Sequence, residues 1–222
     1  MHIPDGIIPI EQAIVYLVIA VIFIAYSIYR IGKGLEDKHI PLLGVLAAGI
    51  FAAQMFNFPV PYGSSGHLVG TALATAYVGP AGAIVIIASV LLVQAFFGDG
   101  GITAYGANVL NMGVIGGLVS WAVIGFVVKV VLKDNKNAKT IAVGIAGFVA
   151  TVVAAFVASL ELIVAGLEPA ALVIGWMVGL HAIIGVGEAV ISMAIVAYTT
   201  KVRPDLLEMT HFELAPGIMT SE

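Results

Sequence analysis

The first two residues, Met1 and His2, carry the nitrogen atoms with the clearest chemistry in this sequence. The terminal amine, the backbone nitrogen of residue 2 and the Nδ1 atom of His2 can hold one metal ion in fused chelate rings. Such a planar set of nitrogen atoms suits Ni²⁺ or Cu²⁺, which favour tetragonal nitrogen sites. It leaves a fourth corner open, and His67, which follows a Gly-Ser-Ser-Gly stretch, is the natural candidate to fill it. An ordinary exposed amino terminus is the alternative interpretation.

The donor atoms in the sequence limit which metal ions this site could bind. The chain contains no cysteine, which excludes thiolate sites, iron–sulfur clusters and disulfides. Calcium and magnesium prefer clusters of oxygen ligands, and the loops around the candidate ligands lack such clusters. Nitrogen donors favour nickel or copper, while Co²⁺ also accepts them and lies beside nickel in the affinity order. The donor atoms therefore favour nickel or copper over cobalt.

The composition places these residues in a membrane protein. Of 222 residues, 61% are hydrophobic and only 10% are charged, whereas soluble domains are about one quarter charged. Too few polar side chains remain to cover a water-facing surface, so lipid must surround the chain. The net charge of −4, with nine basic residues, argues against a nucleic-acid-binding surface.

Seven apolar runs predict the elements that position the ligands. We predict an all-α integral membrane protein, a bundle of seven transmembrane helices in a single membrane domain over residues 1–203, in which 1–9 form the metal-binding segment. A cytoplasmic tail follows at 204–222. The third run is short and should begin below the membrane surface, and Gly79-Pro80 should turn the chain after it. The runs cover residues 10–29, 40–58, 67–78, 80–97, 103–128, 140–165 and 169–199.

The basic residues predict the orientation of the bundle. All nine fall in three stretches on one side of the seven-helix arrangement, which the positive-inside rule makes cytoplasmic. The N-terminus then lies outside and the C-terminus lies in the cytoplasm. A Pro4-Asp5-Gly6 turn should fold Met1 and His2 back into the bundle, whereas His39 and His211 should be solvated. The basic residues are Arg30, Lys33, Lys38, Lys129, Lys133, Lys136, Lys139, Lys201 and Arg203.

Four polar residues near the outward-facing loops are candidates to support a bound ion. Irregular backbone at membrane depth is tolerated only inside the protein or along a cavity, and residues 1–6, 62–67 and 97–101 are such stretches. The four residues could orient a ligand imidazole; turn formation and ordinary interhelical hydrogen bonding are the alternatives. They are Ser65, Asp99, Asn108 and Asn111.

Two ionisable residues of the last run, His181 and Glu188, lie seven positions apart and share one helix face. Intramembrane ionisable residues are functional candidates by default, although we favour structural hydrogen bonding for this pair. In an autonomous secondary transporter they would line the ion path together with Glu161. In an intramembrane serine hydrolase, Ser65 would be the nucleophile and His181 its base.

Small residues repeat every four positions on the second run, at Gly44, Ala48 and Ala52. Such a stripe permits close helix contact in lipid, either within this bundle or against a membrane partner. The sequence contains no Gly-x-x-x-x-Gly-Lys-[Ser/Thr] phosphate-binding loop. An importer built on this chain would therefore take its energy from another subunit.

Four motifs carry a resemblance to a known family. Met-His-Ile-Pro-Asp-Gly opens the chain, and the other three are Gly-Ser-Ser-Gly-His-Leu at 63–68, Ala-Asn-Val-Leu-Asn-Met-Gly at 107–113 and His-Ala-Ile-Ile-Gly-Val-Gly-Glu-Ala at 181–189. With these motifs the chain resembles the NikM/CbiM family, the metal-binding S components of energy-coupling-factor (ECF) transporters for nickel or cobalt. The similarity extends over nearly the whole chain, and the N-terminal motif is its most specific part.

The resemblance implies a transporter subunit rather than an enzyme. It implies ligation of nickel or cobalt by the N-terminal amine and His2, with His67 matching the histidine that follows the Ser-Ser-Gly loop. It also implies a prokaryotic cytoplasmic membrane and three kinds of partner: a transmembrane coupling subunit, cytoplasmic ATPases and a small accessory membrane subunit. The Gly44, Ala48 and Ala52 stripe would then face the coupling subunit.

Overall fold

The computed structural model describes residues 1–33, 40–133 and 135–207. Lys38, His39, His211 and residues 208–222 of the predicted tail lie outside these ranges. The chain is mostly helical, because a backbone in lipid must satisfy its hydrogen bonds internally. The helices in the described ranges are α1 (Ile10–Gly32), α2 (Ile40–Gln54), α3 (Thr71–Phe96), α4 (Tyr105–Val131), α5 (Ala138–Val164) and α6 (Ala170–Val202).

Helix α3 contains the reversal that Gly79-Pro80 predicts. Gly79 has φ 71° and ψ 178°, a conformation essentially restricted to glycine. A straight helix of 26 residues would be about 39 Å long, yet both ends of α3 approach His2. The ring of His67, just before α3, stacks on the His2 ring with centroids 4.3 Å apart, and Asp99 Oδ1, just after α3, lies 3.0 Å from His2 Nδ1. Helix α3 therefore has two arms that return to the same end of the bundle.

By length and composition, five of the helices in the described ranges are long and apolar enough to cross a membrane, and α3 is one of them only when its two arms are counted together. Helix α2, with 15 residues, is shorter. The helical, multi-pass membrane architecture agrees with the sequence analysis. The crossing of the membrane by seven segments, with the N-terminus outside and the C-terminus in the cytoplasm, stays a prediction.

A small antiparallel sheet lies where the second apolar run was expected to continue as helix to residue 58. Helix α2 ends at Gln54 instead, and β1 (Phe58–Val60) pairs with β2 (Ser64–Gly66) so that Pro59 opposes Ser65. Proline cannot supply the amide hydrogen that an intrahelical bond needs, so this stretch is better suited to a strand. The sheet delivers the chain directly to His67.

Helix α4 changes its helical type along its length. It begins with an α-helical turn at Tyr105–Asn108, passes into a π-helix at Val109–Ile115, and continues as an α-helix at Gly116–Phe126 and a π-helix at Val127–Val131. At its start, Gly106 packs against the backbone of α1, where an added Cβ would lie 2.3 Å from Leu17 N. Only glycine permits this approach, which fixes α1 against α4 just below the N-terminal segment.

Helices α1 and α2 present most of their surface to the surroundings. In α1 only Ala13, Ala20 and Ser27 are buried, a narrow stripe that faces the bundle while the large apolar side chains point outward into lipid. In α2 the buried residues are Leu46, Ile50 and Gln54. The predicted small-residue stripe of α2 is exposed and does not pack against the described part of the chain; it comprises Gly44, Ala48 and Ala52.

Candidate metal centre

The amino terminus is folded into the protein. Met1, His2 and Ile3 are 0%, 2% and 0% exposed, in contrast to the alternative of an ordinary exposed terminus. The backbone of Ile3 forms a two-way hydrogen bond with Asn108: Ile3 N donates to Oδ1 at 2.8 Å, and Nδ2 donates to Ile3 O at 3.0 Å. The amide of Gly101 also donates to Ile3 O at 2.9 Å. The segment is thereby fixed across the loop before α4 and the start of α4.

The turn at Pro4-Asp5-Gly6 returns the chain to α1 after this buried segment. Gly6 has a positive φ of 82°, and Asp5 Oδ1 accepts hydrogen bonds from the backbone and hydroxyl of Thr103 at 2.7 and 2.6 Å. These two bonds lower the pKa of Asp5 below its usual value. An ionised Asp5 thus anchors the turn at the surface while Met1 and His2 point inward.

Ser65 binds the first residues through both its backbone and its side chain. The amine of Met1 donates to the Ser65 carbonyl oxygen and contacts Oγ at 3.4 Å. The amide of His2 donates to Ser65 Oγ at 3.1 Å, and the Ser65 amide donates to His2 O at 3.2 Å. Strand β2 therefore receives the N-terminal segment as a further short strand would, and it brings the amine and the residue-2 amide to one place.

The imidazoles of His2 and His67 lie against each other, tilted by 25°. His67 Nδ1 lies 2.7 Å from the Leu68 carbonyl oxygen, which can only accept, so Nδ1 carries the hydrogen and Nε2 holds a free lone pair. Nε2 of His67 and Nε2 of His2 are buried without a hydrogen-bond partner in the described part of the chain. Buried polar atoms are normally paired, so two unpaired imidazole nitrogens side by side indicate a binding site for an electrophile.

Burial keeps these donors uncharged. It lowers the pKa of the Met1 amine well below its usual value, an effect that Asp99 opposes. Burial likewise lowers the pKa of His67 well below its usual value, and the amine and His2 act in the same direction. The pKa of His2 is lowered by burial too, although its contact with Asp99 opposes the shift. The amine and both rings are therefore neutral at neutral pH, the form in which nitrogen binds a metal.

Side chains alone do not complete a metal site. Across residues 1–33, 40–133 and 135–207, no group of three or more His, Cys, Asp or Glu side chains is placed to hold an ion. The arrangement offers two imidazoles and, beside them, the Met1 amine and the residue-2 amide. A metal bound here would need main-chain nitrogen atoms as ligands.

The four supporting candidates lie in different surroundings. Ser65 and Asp99 contact the Met1-His2 segment directly, and Asp99 also accepts a hydrogen bond from Asn57 at 3.0 Å. Asn108 binds the Ile3 backbone rather than an imidazole. Asn111 is placed elsewhere: its Nδ2 donates to Glu161 Oε2 at 2.6 Å.

Two buried side chains near the centre had no part in the predicted ligand set. Gln94, in the second arm of α3, is 0% exposed and interacts with the His2 ring. His181 is 0% exposed, its Nδ1 is bonded to Met177 O at 2.7 Å, and its Nε2 has no hydrogen-bond partner in the described chain. Gln94 was not singled out from the sequence; a glutamine within an apolar run is the signal that could have identified it.

Comparison with known proteins identifies similar chains over nearly the full length. A family profile described as "Cobalt uptake substrate-specific transmembrane region" (CbiM) matches residues 2–206. A putative fused nickel transport protein NikMN of Archaeoglobus fulgidus is 38% identical over 98% of this chain and 70% of its own length. A putative metal transport protein of Methanocaldococcus jannaschii is 41% identical over 93% of this chain and 94% of its own length. A putative cobalt transport protein CbiM of Archaeoglobus fulgidus is 35% identical over 94% and 99%, respectively.

Solved structures share the fold. A crystal structure of a transition metal transporter is 28% identical to this chain, covers 95% of it and 97% of its own length, and superposes with a TM-score of 0.85. A truncated transition metal transporter gives a TM-score of 0.84 over 91% of this chain.

Proposed function

The chain belongs to the CbiM family of cobalt-uptake transmembrane regions, and on that premise we propose that it is the substrate-binding membrane subunit of an ATP-driven ECF-type importer. Its substrate would be Ni²⁺ or Co²⁺, captured from outside the cell. The relatives are named for nickel and for cobalt, and the nitrogen-only donor set favours nickel. The observation that carries this proposal is the buried Met1 amine beside the stacked rings of His2 and His67.

We propose four nitrogen ligands: the Met1 amine, the residue-2 backbone nitrogen, His2 Nδ1 and His67 Nε2. Binding would displace Asp99 from His2 Nδ1, move the ring hydrogen of His2 from Nδ1 to Nε2, and release the residue-2 amide proton, which the free protein donates to Ser65 Oγ. A doubly charged ion, one ionised amide and the Asp99 carboxylate together sum to zero charge. This balance matters because an uncompensated charge is costly in a buried site.

The His67→Ala variant tests the ligand set. It removes one of four donors, so Ni²⁺ and Co²⁺ binding should be lost in equilibrium dialysis of the purified protein. His211→Ala is the matched control, since it makes the same exchange beyond the residues that the family profile matches, and it should bind metal as the parent does. Unchanged affinity of His67→Ala for both ions would refute the ligand set.

A second variant tests the main-chain donors. One residue added before Met1 moves the amine away from the site, so metal binding should be abolished. The change removes no side chain. Intact-mass measurement of the unaltered protein should show a free Met1 amine, which the proposal requires. Retained nickel binding in the extended protein counts decisively against the amine as a ligand.

The two other functions considered from the sequence have less support. A serine hydrolase needs a reachable nucleophile, but Ser65 Oγ accepts hydrogen bonds from the N-terminal segment and is covered by it. Alanine at Ser65 should therefore alter metal affinity and should abolish no peptide cleavage. An autonomous transporter would use Glu161 in its ion path. Glu161 accepts a hydrogen bond from Asn111 and lies apart from the two stacked rings.

A further inference from the structure

Glu188 holds the segment that carries His67. It lies on α6, is 3% exposed, and accepts two backbone hydrogen bonds: Oε2 from Val69 N at 2.9 Å and Oε1 from Gly70 N at 2.6 Å. Gly147 of α5 packs against it, leaving about 3.0 Å between the position of an added Cβ and Glu188 Cγ. Both carboxylate oxygens are thus engaged by the chain just before the first arm of α3.

A carboxylate is well suited to this position. The amides of Val69 and Gly70 lead into the first arm of α3, and the first N–H groups of a helix lack intrahelical partners. A negative charge at a helix N-terminus is stabilised by the helix dipole, and hydrogen bonds to an ionised acceptor are about twice as strong as neutral ones. The two amides therefore favour the ionised form of Glu188, whereas its burial opposes that form.

One peptide unit joins Glu188 to His67. The Val69 N–H that donates to Glu188 and the Leu68 C=O that accepts from His67 Nδ1 belong to the same planar peptide group. A planar trans peptide cannot turn one of these groups without turning the other. The hydrogen-bonded chain thus runs from the carboxylate through the amide to the carbonyl and on to the imidazole, and hydrogen bonds in series polarise one another.

We propose that Glu188 is a positioning residue for His67: through the Leu68–Val69 peptide it fixes the imidazole with its hydrogen on Nδ1 and leaves the Nε2 lone pair free to bind the metal. The inference rests on the proposed function, in which His67 Nε2 binds the metal. In many metal sites a carboxylate orients a ligand histidine by bonding directly to its ring. Here one peptide group lies between the Glu188 carboxylate and the His67 imidazole.

The test compares Glu188→Gln with Ser192→Ala. Glutamine keeps the size of the side chain but has only one accepting oxygen, so one of the two amides loses its partner and the negative charge disappears. Ser192 is also buried and lies one turn further along the same face of α6, so it controls for loss of a polar group there. Ni²⁺ affinity is measured by calorimetry, and the tautomer of His67 by ¹⁵N NMR of histidine-labelled protein.

Glu188→Gln should weaken Ni²⁺ binding at least about fivefold, since outer partners of metal-bound histidines typically contribute 10- to 100-fold. It should also reduce the Nδ1–H tautomer of His67 in the metal-free protein, which a purely structural role of Glu188 would leave unchanged. Ser192→Ala should alter neither quantity. A smaller loss of affinity, or an unchanged tautomer, overturns the proposal.

Two further variants separate this inference from the proposed function. If His67→Ala keeps its affinity, the ligand set fails, and the tautomer spectrum of Glu188→Gln alone then decides the positioning role. If Glu188→Gln does not fold, Glu188→Asp replaces it, because aspartate keeps the charge but is too short to reach both amides. Its affinity should fall between those of the parent protein and His67→Ala, and parental affinity would overturn the proposal.

Discussion

The proposed ligands combine main-chain nitrogens with side chains that the fold brings together from distant positions. His67 could be singled out from the sequence because a histidine after a Gly-Ser-Ser-Gly stretch begins an apolar run. Its contact with His2 depends on the pairing of Ser65 with the first two residues. That pairing joins residues more than sixty positions apart, and no local pattern encodes it.

Metal affinity should fall on acidification, because protons compete with the metal for the buried nitrogen donors. The pKa values of the Met1 amine and of both imidazoles are lowered by burial, so these groups are neutral at neutral pH and take up protons only at lower pH. Binding also releases the residue-2 amide proton, which alone gives about tenfold in affinity per pH unit. Calorimetry should therefore give at least about 300-fold weaker Ni²⁺ binding at about pH 5 than at about pH 7.5.

The same shifts act on the metal-free protein in the same direction. A cationic acid whose pKa is lowered by folding stabilises the folded state above its unfolded pKa, and this contribution is lost as the pH falls toward the lowered value. The protection factor of the Ile3 amide, which compares its exchange rate with that of an unfolded peptide at the same pH, should therefore fall in acid. Equal metal affinities at the two pH values would show that these nitrogens are not the ligands.

The supporting side chains show how far residue types alone can be interpreted. Asp99 was expected near the metal and contacts His2. Asn108 and Asn111 were candidates to orient an imidazole, with ordinary hydrogen bonding as the alternative, and they bind the Ile3 backbone and Glu161. The sequence predicts that an asparagine in an apolar helix needs a hydrogen-bond partner. Which partner each one meets depends on how α4 packs against the N-terminal segment and α5, and no local residue pattern predicts that packing.

Among the elements, α3 brings the two sides of the candidate site together. The turn at Gly79-Pro80 was predictable because glycine followed by proline cannot continue a helix. The sheet that follows helix α2 was not predicted, since β1 continues an apolar run and β2 lies in a Gly-Ser-Ser-Gly stretch that is typical of a loop. Short apolar runs do not distinguish the two structures.

Gly79→Ala should destabilise the protein by about 1–3 kcal/mol, because a side chain at φ 71° and ψ 178° is strained. It should also weaken Ni²⁺ binding, since both ends of α3 approach His2. Thermal unfolding in detergent and calorimetry measure the two effects. Gly175→Ala is the matched control, because Gly175 is within α6 and an added Cβ there meets nothing within 4 Å. Equal melting temperatures of the two variants would show that α3 does not depend on this glycine.

The exposed stripe of α2 should bind the coupling subunit. Ala48→Leu places a bulky side chain between Gly44 and Ala52, and it should reduce co-purification of the coupling subunit about tenfold, which corresponds to about 1.4 kcal/mol. Metal binding should be unchanged. Ala194→Leu, on the exposed face of α6, makes the same exchange elsewhere on the helical surface. Parental co-purification of Ala48→Leu would place the partner on another face.

At the scale of the whole molecule, the chain is a membrane-embedded metal-uptake component that we expect to depend on other subunits for energy. Proteoliposomes that contain this chain alone should bind ⁶³Ni²⁺ without accumulating it, under a proton gradient or with ATP. Addition of the coupling and ATPase subunits should produce ATP-dependent accumulation. Gradient-driven accumulation by the chain alone would support the autonomous transporter instead.

The buried N-terminal segment has a consequence for the timing of transport. Residues 1–3 would ligate the ion, and their hydrogen bonds to Ser65, Asn108 and Gly101 would hold them over it. The same N-terminal segment would thus both ligate the ion and cover it, and no separate lid would be required. The residence time of the ion would then be set by how often residues 1–3 move away from the site. A partner subunit that displaced this segment could therefore control the rate of release.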